Sequence, residues 1–167
     1  DFIDSLAFTV SRGGIPWAQA KMVLGERYSA THDAERAVSE FAGLIRAEPS
    51  VAVGWLLTAK ALLAAGQMQR AEPYLEKAYD LKPSGFAAYG LGVLAMQRKN
   101  LPRATTLFEN ALQLTADMPP ALYQLSLAYA LQRDLGRARA YAARLAQVAP
   151  SYPGLGELMV SLGMPGR

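Results

Sequence analysis

Residues 24–49 read LGERYSATHDAERAVSEFAGLIRAEP, and their pattern returns three more times down the chain. Ala37, Ala71, Ala104 and Ala138 recur at intervals of 34, 33 and 34 residues, and the same intervals relate Phe41, Leu75, Phe108 and Ala142. Leu44, Ala78, Ala111 and Leu145 keep step, as do Leu24-Gly25, Thr58-Ala59, Leu91-Gly92 and Leu125-Ser126 upstream, and Tyr28, Leu62, Ala95 and Tyr129. Pro49, Pro83 and Pro150 close three of the units, with Ala116 in the fourth. A period of this length marks stacked supersecondary units rather than one closed core.

Two antiparallel helices joined by a short turn approach closely at some points and need filling at others, so small and large residues take separate columns. Gly25, Ala59, Gly92 and Ser126 would let the second helix of a hairpin approach the first. Tyr28, Phe41, Trp55, Phe108 and Tyr129 would fill the gaps between hairpins. Proline lacks an amide hydrogen and clashes with the preceding turn, so Pro49, Pro83 and Pro150 would stop each second helix. The spacing predicts an all-α solenoid of four hairpins over residues 17–49, 52–83, 85–116 and 119–150. Turns are expected at Ser29–His32, Gly66–Gln67, Lys99–Asn100 and Arg133–Asp134. One period upstream, Ile3, Ala7 and Val10 align with second-helix core columns and Ile15-Pro16 with the stop, so residues 1–16 read as a partial or capping helix of a preceding repeat. Tyr152, Leu155, Leu158, Met159 and Leu162 form an apolar stripe at helical spacing, a capping helix within 151–167.

The composition, 51% apolar and 19% charged over 167 residues, describes a folded chain. The formal charge of +3 is small, and basic residues such as Arg36, Arg70, Arg103, Arg137 and Arg144 are scattered along the sequence, so nucleic acid is not an expected partner. With no cysteine there is no disulfide, thiolate metal site or cysteine nucleophile. The longest apolar stretch, Val51 to Gly66, is interrupted by Lys60 and falls short of the roughly 20 residues a bilayer span needs, so no direct membrane insertion is expected of it. Beginning at Asp1 without a basic-then-apolar leader, the chain reads as a fragment or a processed product.

No catalytic constellation emerges, and neither enzyme activity nor a cofactor or metal is expected. His32, the only histidine, falls in a predicted turn as a solvated residue, and Asp33 and Glu35 beside it suit the positive end of a helix better than a metal. Glu72 with Glu76, and Glu76 with Asp80, lie one helical turn apart on a wet outer face. Gly90-Leu91-Gly92 falls inside a predicted helix, without the strand that a dinucleotide-binding turn requires, and reads as close helix packing.

The repeat resembles the tetratricopeptide family, whose motif pairs Leu-Gly and a tyrosine in one helix with Ala, an aromatic, Ala and a terminal Pro in the next. Leu24-Gly25, Tyr28, Ala37, Phe41 and Pro49 make the most complete unit, while Thr58-Ala59 and Ala116 depart from the motif. The resemblance implies a concave channel lined by the first helices. By register its lining is Met22, Glu26, Val53, Leu56, Lys60, Leu63, Phe86, Tyr89, Val93, Met96, Tyr123, Leu127 and Leu131, in which only Glu26 and Lys60 carry charge. Such a lining suits an apolar or amphipathic polypeptide segment. The basic columns with which a related subclass grips acidic chaperone tails are replaced here by Met22, Glu26 and Leu56. The run from Tyr89 to Leu112, followed by Pro120-Ala121-Leu122, resembles repeats of bacterial pilus, secretion and exopolysaccharide-export scaffolds. That resemblance implies a non-catalytic scaffold in a bacterial envelope assembly, in the periplasm or at a membrane, with the cytoplasm as the alternative. The competing readings are a structural or homo-oligomeric spacer whose groove is filled internally, and a regulatory domain of a larger enzyme.

Overall fold

Two kinds of helix alternate along the chain. The sequences AVGWLLTAKALLA, GFAAYGLGVLAMQ and PPALYQLSLAYAL are apolar nearly all round, as befits helices enclosed on several sides. AERAVSEFAGLIRA and MQRAEPYLEKAYDL are two-faced, with one stripe to bury and one to wet. The computed structural model describes residues 17–31 and 33–165. Within them lie α1 (Trp17–Ala30), α2 (Ala34–Ala47), α3 (Ala52–Ala64), α4 (Met68–Leu81), α5 (Gly85–Gln97), α6 (Leu101–Leu114), α7 (Pro119–Leu131), α8 (Leu135–Val148) and α9 (Leu155–Ser161), with no strand among the described residues. The fold is an all-α helical repeat. Residues 1–16, expected to hold a partial helix, and His32 lie outside the described residues.

The chain divides into two compact units, Asp1–Lys82 and Pro83–Arg167. In the first, hairpins α1–α2 and α3–α4 pack through α2 against α3, around a cluster of Ala37, Phe41, Leu44 and Ala61 with Met22, Tyr28 and Leu57 against it. In the second, hairpins α5–α6 and α7–α8 pack through α6 against α7. There α9 rests on α8 with Leu155, Leu158, Met159 and Leu162 buried.

The close approach within a hairpin is visible atom by atom. A methyl group on Gly25 would overlap the Phe41 ring, and one on Gly92 would lie 2.6 Å from Phe108 Cε1. Both rings are buried, at 1% and 0% exposure. Phe41 and Phe108 therefore fill notches inside their own hairpins, and Phe41 also belongs to the cluster between α2 and α3, as expected from the sequence. The same two columns, 16 residues apart, hold Ala59 with Leu75 and Ser126 with Ala142 in the other hairpins. As the first residue grows, the second shrinks. Of the other expected gap-fillers, Tyr28 packs against the cluster shared by α2 and α3, while Trp55 packs on Tyr74 and Tyr129 stacks on Tyr141, each within its hairpin.

One turn design joins the helices of every hairpin. The amides of Asp33, Gln67, Asn100 and Asp134 donate to the carbonyls of Tyr28, Leu62, Ala95 and Tyr129, five residues back, at 2.8–2.9 Å. This bond closes a left-handed turn, and Gly66, Lys99 and Arg133 sit in it with φ of 72°, 58° and 63°. Asp33, Asn100 and Asp134 then cap the next helix, their side-chain oxygens accepting from the amides of Arg36, Arg103 and Arg137. One residue ends one helix and starts the next, which keeps the connection this short.

The second helices stop in a common way too. Glu48, Lys82 and Ala149 leave the helix just before prolines, which disfavour helical backbone in the residue ahead of them. Thr115 adopts the same extended geometry (φ −144°, ψ 91°) before Ala116, so proline reinforces the stop without being required for it. The Thr115 side chain instead lies against Gly85, where a methyl group would overlap it.

Gly25→Ala is expected to cost about 1–3 kcal/mol through overpacking. Adding Phe41→Leu, which recreates the Ala59 and Leu75 columns, is expected to recover most of that loss in urea unfolding. A double variant no more stable than Gly25→Ala would refute the notch. Gly66→Ala meets open space, yet its left-handed backbone predicts a loss of about 1 kcal/mol in the same assay.

Candidate binding surface

In the first unit the candidate residues lie on the adjacent helices α1 and α3. Met22, Leu56 and Leu63 are half-buried, while Glu26, Val53 and Lys60 are exposed. Beside Met22 and Val53 is a cavity of about 70 Å³, lined also by Ala18, Leu44, Ala47 and Val51.

In the second unit they lie on the adjacent helices α5 and α7. Phe86, Tyr89, Val93, Met96, Tyr123 and Leu127 are half-buried, and Leu131 is 57% exposed. Two of these aromatics already have ring partners. Tyr89 tilts against Phe108 at 5.9 Å between centroids, and Tyr123 against Tyr152 at 5.4 Å. Burial pushes the Tyr89 and Tyr152 phenols above the ordinary tyrosine range, with Tyr152 adding to the shift at Tyr89 and Tyr123 to that at Tyr152. Gly154, at φ 80°, lets the chain pass close to the Tyr123 hydroxyl. The segment before α9 thus covers part of this surface of the second unit.

Tyr152 lies beyond the four hairpins expected from the sequence, although the repeat register reaches it. Met22, Leu56, Tyr89 and Tyr123 occupy one column, and Val51, Gly85, Met118 and Tyr152 another. Where both members are tyrosine, their rings meet. Where they are Met22 and Val51, the smaller side chains leave the cavity in the first unit.

Charged groups gather at the helix turns. In the first unit Arg70 pairs with Glu35 at 2.5 Å and Arg36 with Asp33 at 3.3 Å. The Arg70 hydrogen bond and charge hold the Glu35 carboxyl below its usual range. In the second unit Arg137 bonds Asp134 at 2.6 Å and lies over the Tyr129 ring, while the Tyr129 hydroxyl donates to Glu109. Burial, then the Glu109 carboxylate, pushes the Tyr129 phenol up to about 12. Among the described residues, no three His, Cys, Asp or Glu side chains come together as a metal would need. Glu76 and Asp80 are exposed and Glu72 half-buried, and Gly90-Leu91-Gly92 lies within α5 with Gly92 against Phe108.

The sequence profile of the tetratricopeptide repeat matches residues 22–86 and 89–154. The chain belongs to the tetratricopeptide repeat family. Among curated proteins no sequence matches it significantly. Solved tetratricopeptide structures share its fold at low identity. MamA from Desulfovibrio magneticus RS-1 is 21% identical with a TM-score of 0.74, covering 88% of this chain and 86% of its own. Pseudomonas aeruginosa pilF is 18% identical with a TM-score of 0.79, over 97% and 81%. YrrB, described as a TPR protein with an unusual peptide-binding site, is 17% identical with a TM-score of 0.72, over 86% and 77%. Tetratricopeptide repeats serve as protein-interaction scaffolds and are typically non-catalytic modules.

Because the folded pKa of Tyr129 lies above the ordinary value of about 10, the stability its neutral phenol contributes is complete below that pH and is lost as pH rises toward about 12. In urea unfolding across that window, Tyr129→Phe is expected to lose less stability than the parent chain. Identical pH slopes for the two proteins would count against the assignment.

Proposed function

We propose that this chain is a non-catalytic scaffold whose first helices hold an apolar or amphipathic segment of another protein. The observation that carries the reading is the set of incompletely buried apolar side chains that each unit carries on its first helices. These are Val53 and Leu56 on α3 in the first unit and Phe86, Val93, Met96 and Leu127 on α5 and α7 in the second, while the second helices carry most of the charge. Burial of such side chains contributes about 25 cal/mol per Å², and a mixed aliphatic and methionine surface adapts to helical or extended ligands. We further propose a role in a bacterial envelope assembly of the pilus, secretion or exopolysaccharide-export kind, supported by the resemblance of the Tyr89–Leu112 run to such repeats.

The alternative, a structural spacer with an internally filled groove, is favoured at one point, where Tyr152 occupies the face of Tyr123. Tyr89 and Tyr123 both have internal partners, so their truncation would confuse folding with binding. Val53→Asp and Val93→Asp are better probes. Labelled amphipathic-helical, extended apolar and acidic-tail peptides, titrated by fluorescence anisotropy, are expected to bind in that order of preference. Each variant should weaken the apolar ligands by about tenfold or more with helicity retained by circular dichroism. Preference for the acidic tail, or unchanged affinity in both folded variants, would overturn the reading.

A further inference from the structure

The basic residues look scattered in sequence because they are spaced at the repeat period, and a repeat fold turns that spacing into proximity. In the second unit, Lys99 and Arg133 occupy the same position of successive turns, and Arg103 and Arg137 share another column. The two turns are neighbours, since Gln132 Nε2 reaches the Leu101 carbonyl at 3.5 Å. Residues 97–103 and 131–137 bring the exposed Lys99 and Arg133 to this edge, beside Arg137, which is paired with Asp134.

Lys99 and Arg133 are exposed cations in left-handed backbone, at φ 58° and 63°, a conformation that glycine adopts without strain and other residues adopt at a cost. In the first unit the turn between α3 and α4 has Gly66 at the corresponding position, and Arg36 and Arg70 are paired with Asp33 and Glu35 as Arg137 is with Asp134 in the second. Large apolar side chains flank the Arg133 turn, with Leu135 44% exposed and Leu131 57% exposed.

We propose that this turn edge of the second unit docks on an anionic phospholipid membrane surface, Lys99 and Arg133 meeting headgroup phosphates and Leu135 entering the headgroup boundary. Cations beside protruding leucines suit that boundary, which offers negative charge and an apolar sink together. Nucleic acid would supply only the charge and favours aromatic platforms to stack its bases on, while exposed leucines supply none. The contact is peripheral. No helix among the described residues is long and apolar enough to cross a membrane.

Flotation with vesicles of phosphatidylcholine, alone or with phosphatidylglycerol replacing about a third of the lipid, tests this directly. The chain is expected to float only with the anionic vesicles, and less as salt rises. Lys99→Gly combined with Arg133→Gly should lower the partition coefficient by about tenfold or more. Its thermal midpoint should not fall, because glycine relieves the left-handed strain, so lost binding will not reflect unfolding. Leu135→Ser should weaken flotation several-fold and leave its salt dependence unchanged. Val53→Asp should float as the parent does, which separates this edge from the proposed groove. Equal flotation with both lipid compositions, or undiminished flotation of the glycine double variant, would overturn the proposal. So would displacement from the vesicles by an oligonucleotide or polyglutamate at equal charge concentration, which would make the edge a surface for a polyanion other than lipid.

Discussion

The hairpins depend on a contact made by two residues 16 positions apart, a small one on the first helix and a larger one on the second. Phe41 against Gly25 and Phe108 against Gly92 are its full-sized versions, and each ring is almost completely removed from water. A side chain beyond hydrogen at the first position would separate the helices or evict the ring. The neighbouring columns rely on that separation: Ala37, Ala71, Ala104 and Ala138 are all at 0% exposure. The exchange of Gly with Phe for Ala with Leu, and then for Ser with Ala, follows from close packing. When the last exchange introduces a hydroxyl, Ser126 Oγ donates to the Ala138 carbonyl at 2.8 Å, so the buried polar atom is satisfied.

The turns hold the register that keeps these columns opposed. A helix ending in a left-handed residue, followed at once by a side-chain cap, leaves little freedom in length. The cost falls unequally. Gly66 accepts the left-handed conformation without strain, whereas Lys99 and Arg133 accept it against the preference of residues with a Cβ. The stops of the second helices follow the same economy, since Thr115 reproduces without proline the geometry that Glu48, Lys82 and Ala149 adopt before one.

What varies is the surface. The column that gives Met22 an adjoining cavity in one unit gives Tyr123 a ring partner in the other. Both surfaces stand on one backbone pattern, so side-chain volume at two register positions decides whether a site is open or filled. The same holds for charge: equivalent turn tips carry a glycine in the first unit and cations in the second. A repeat scaffold diversifies in this way because its surface positions lie outside the columns that fold it.

The amino-acid sequence determined by itself that the chain is a tetratricopeptide-type helical repeat, and it showed which residues keep register, because period, small-residue columns and turn chemistry are local and recur. The candidate lining was legible to the extent of its helix faces: Val53 and Leu131 are exposed, and Met22, Leu56, Tyr89 and Tyr123 half-buried. Tertiary structure alone decided that Phe41 and Phe108 fill notches against Gly25 and Gly92, that Tyr152 lies against Tyr123, and that cations a repeat apart share one edge of the second unit. These are facts of distance between residues remote in sequence. Periodicity specifies the face on which a side chain lies, and only packing specifies what meets it there.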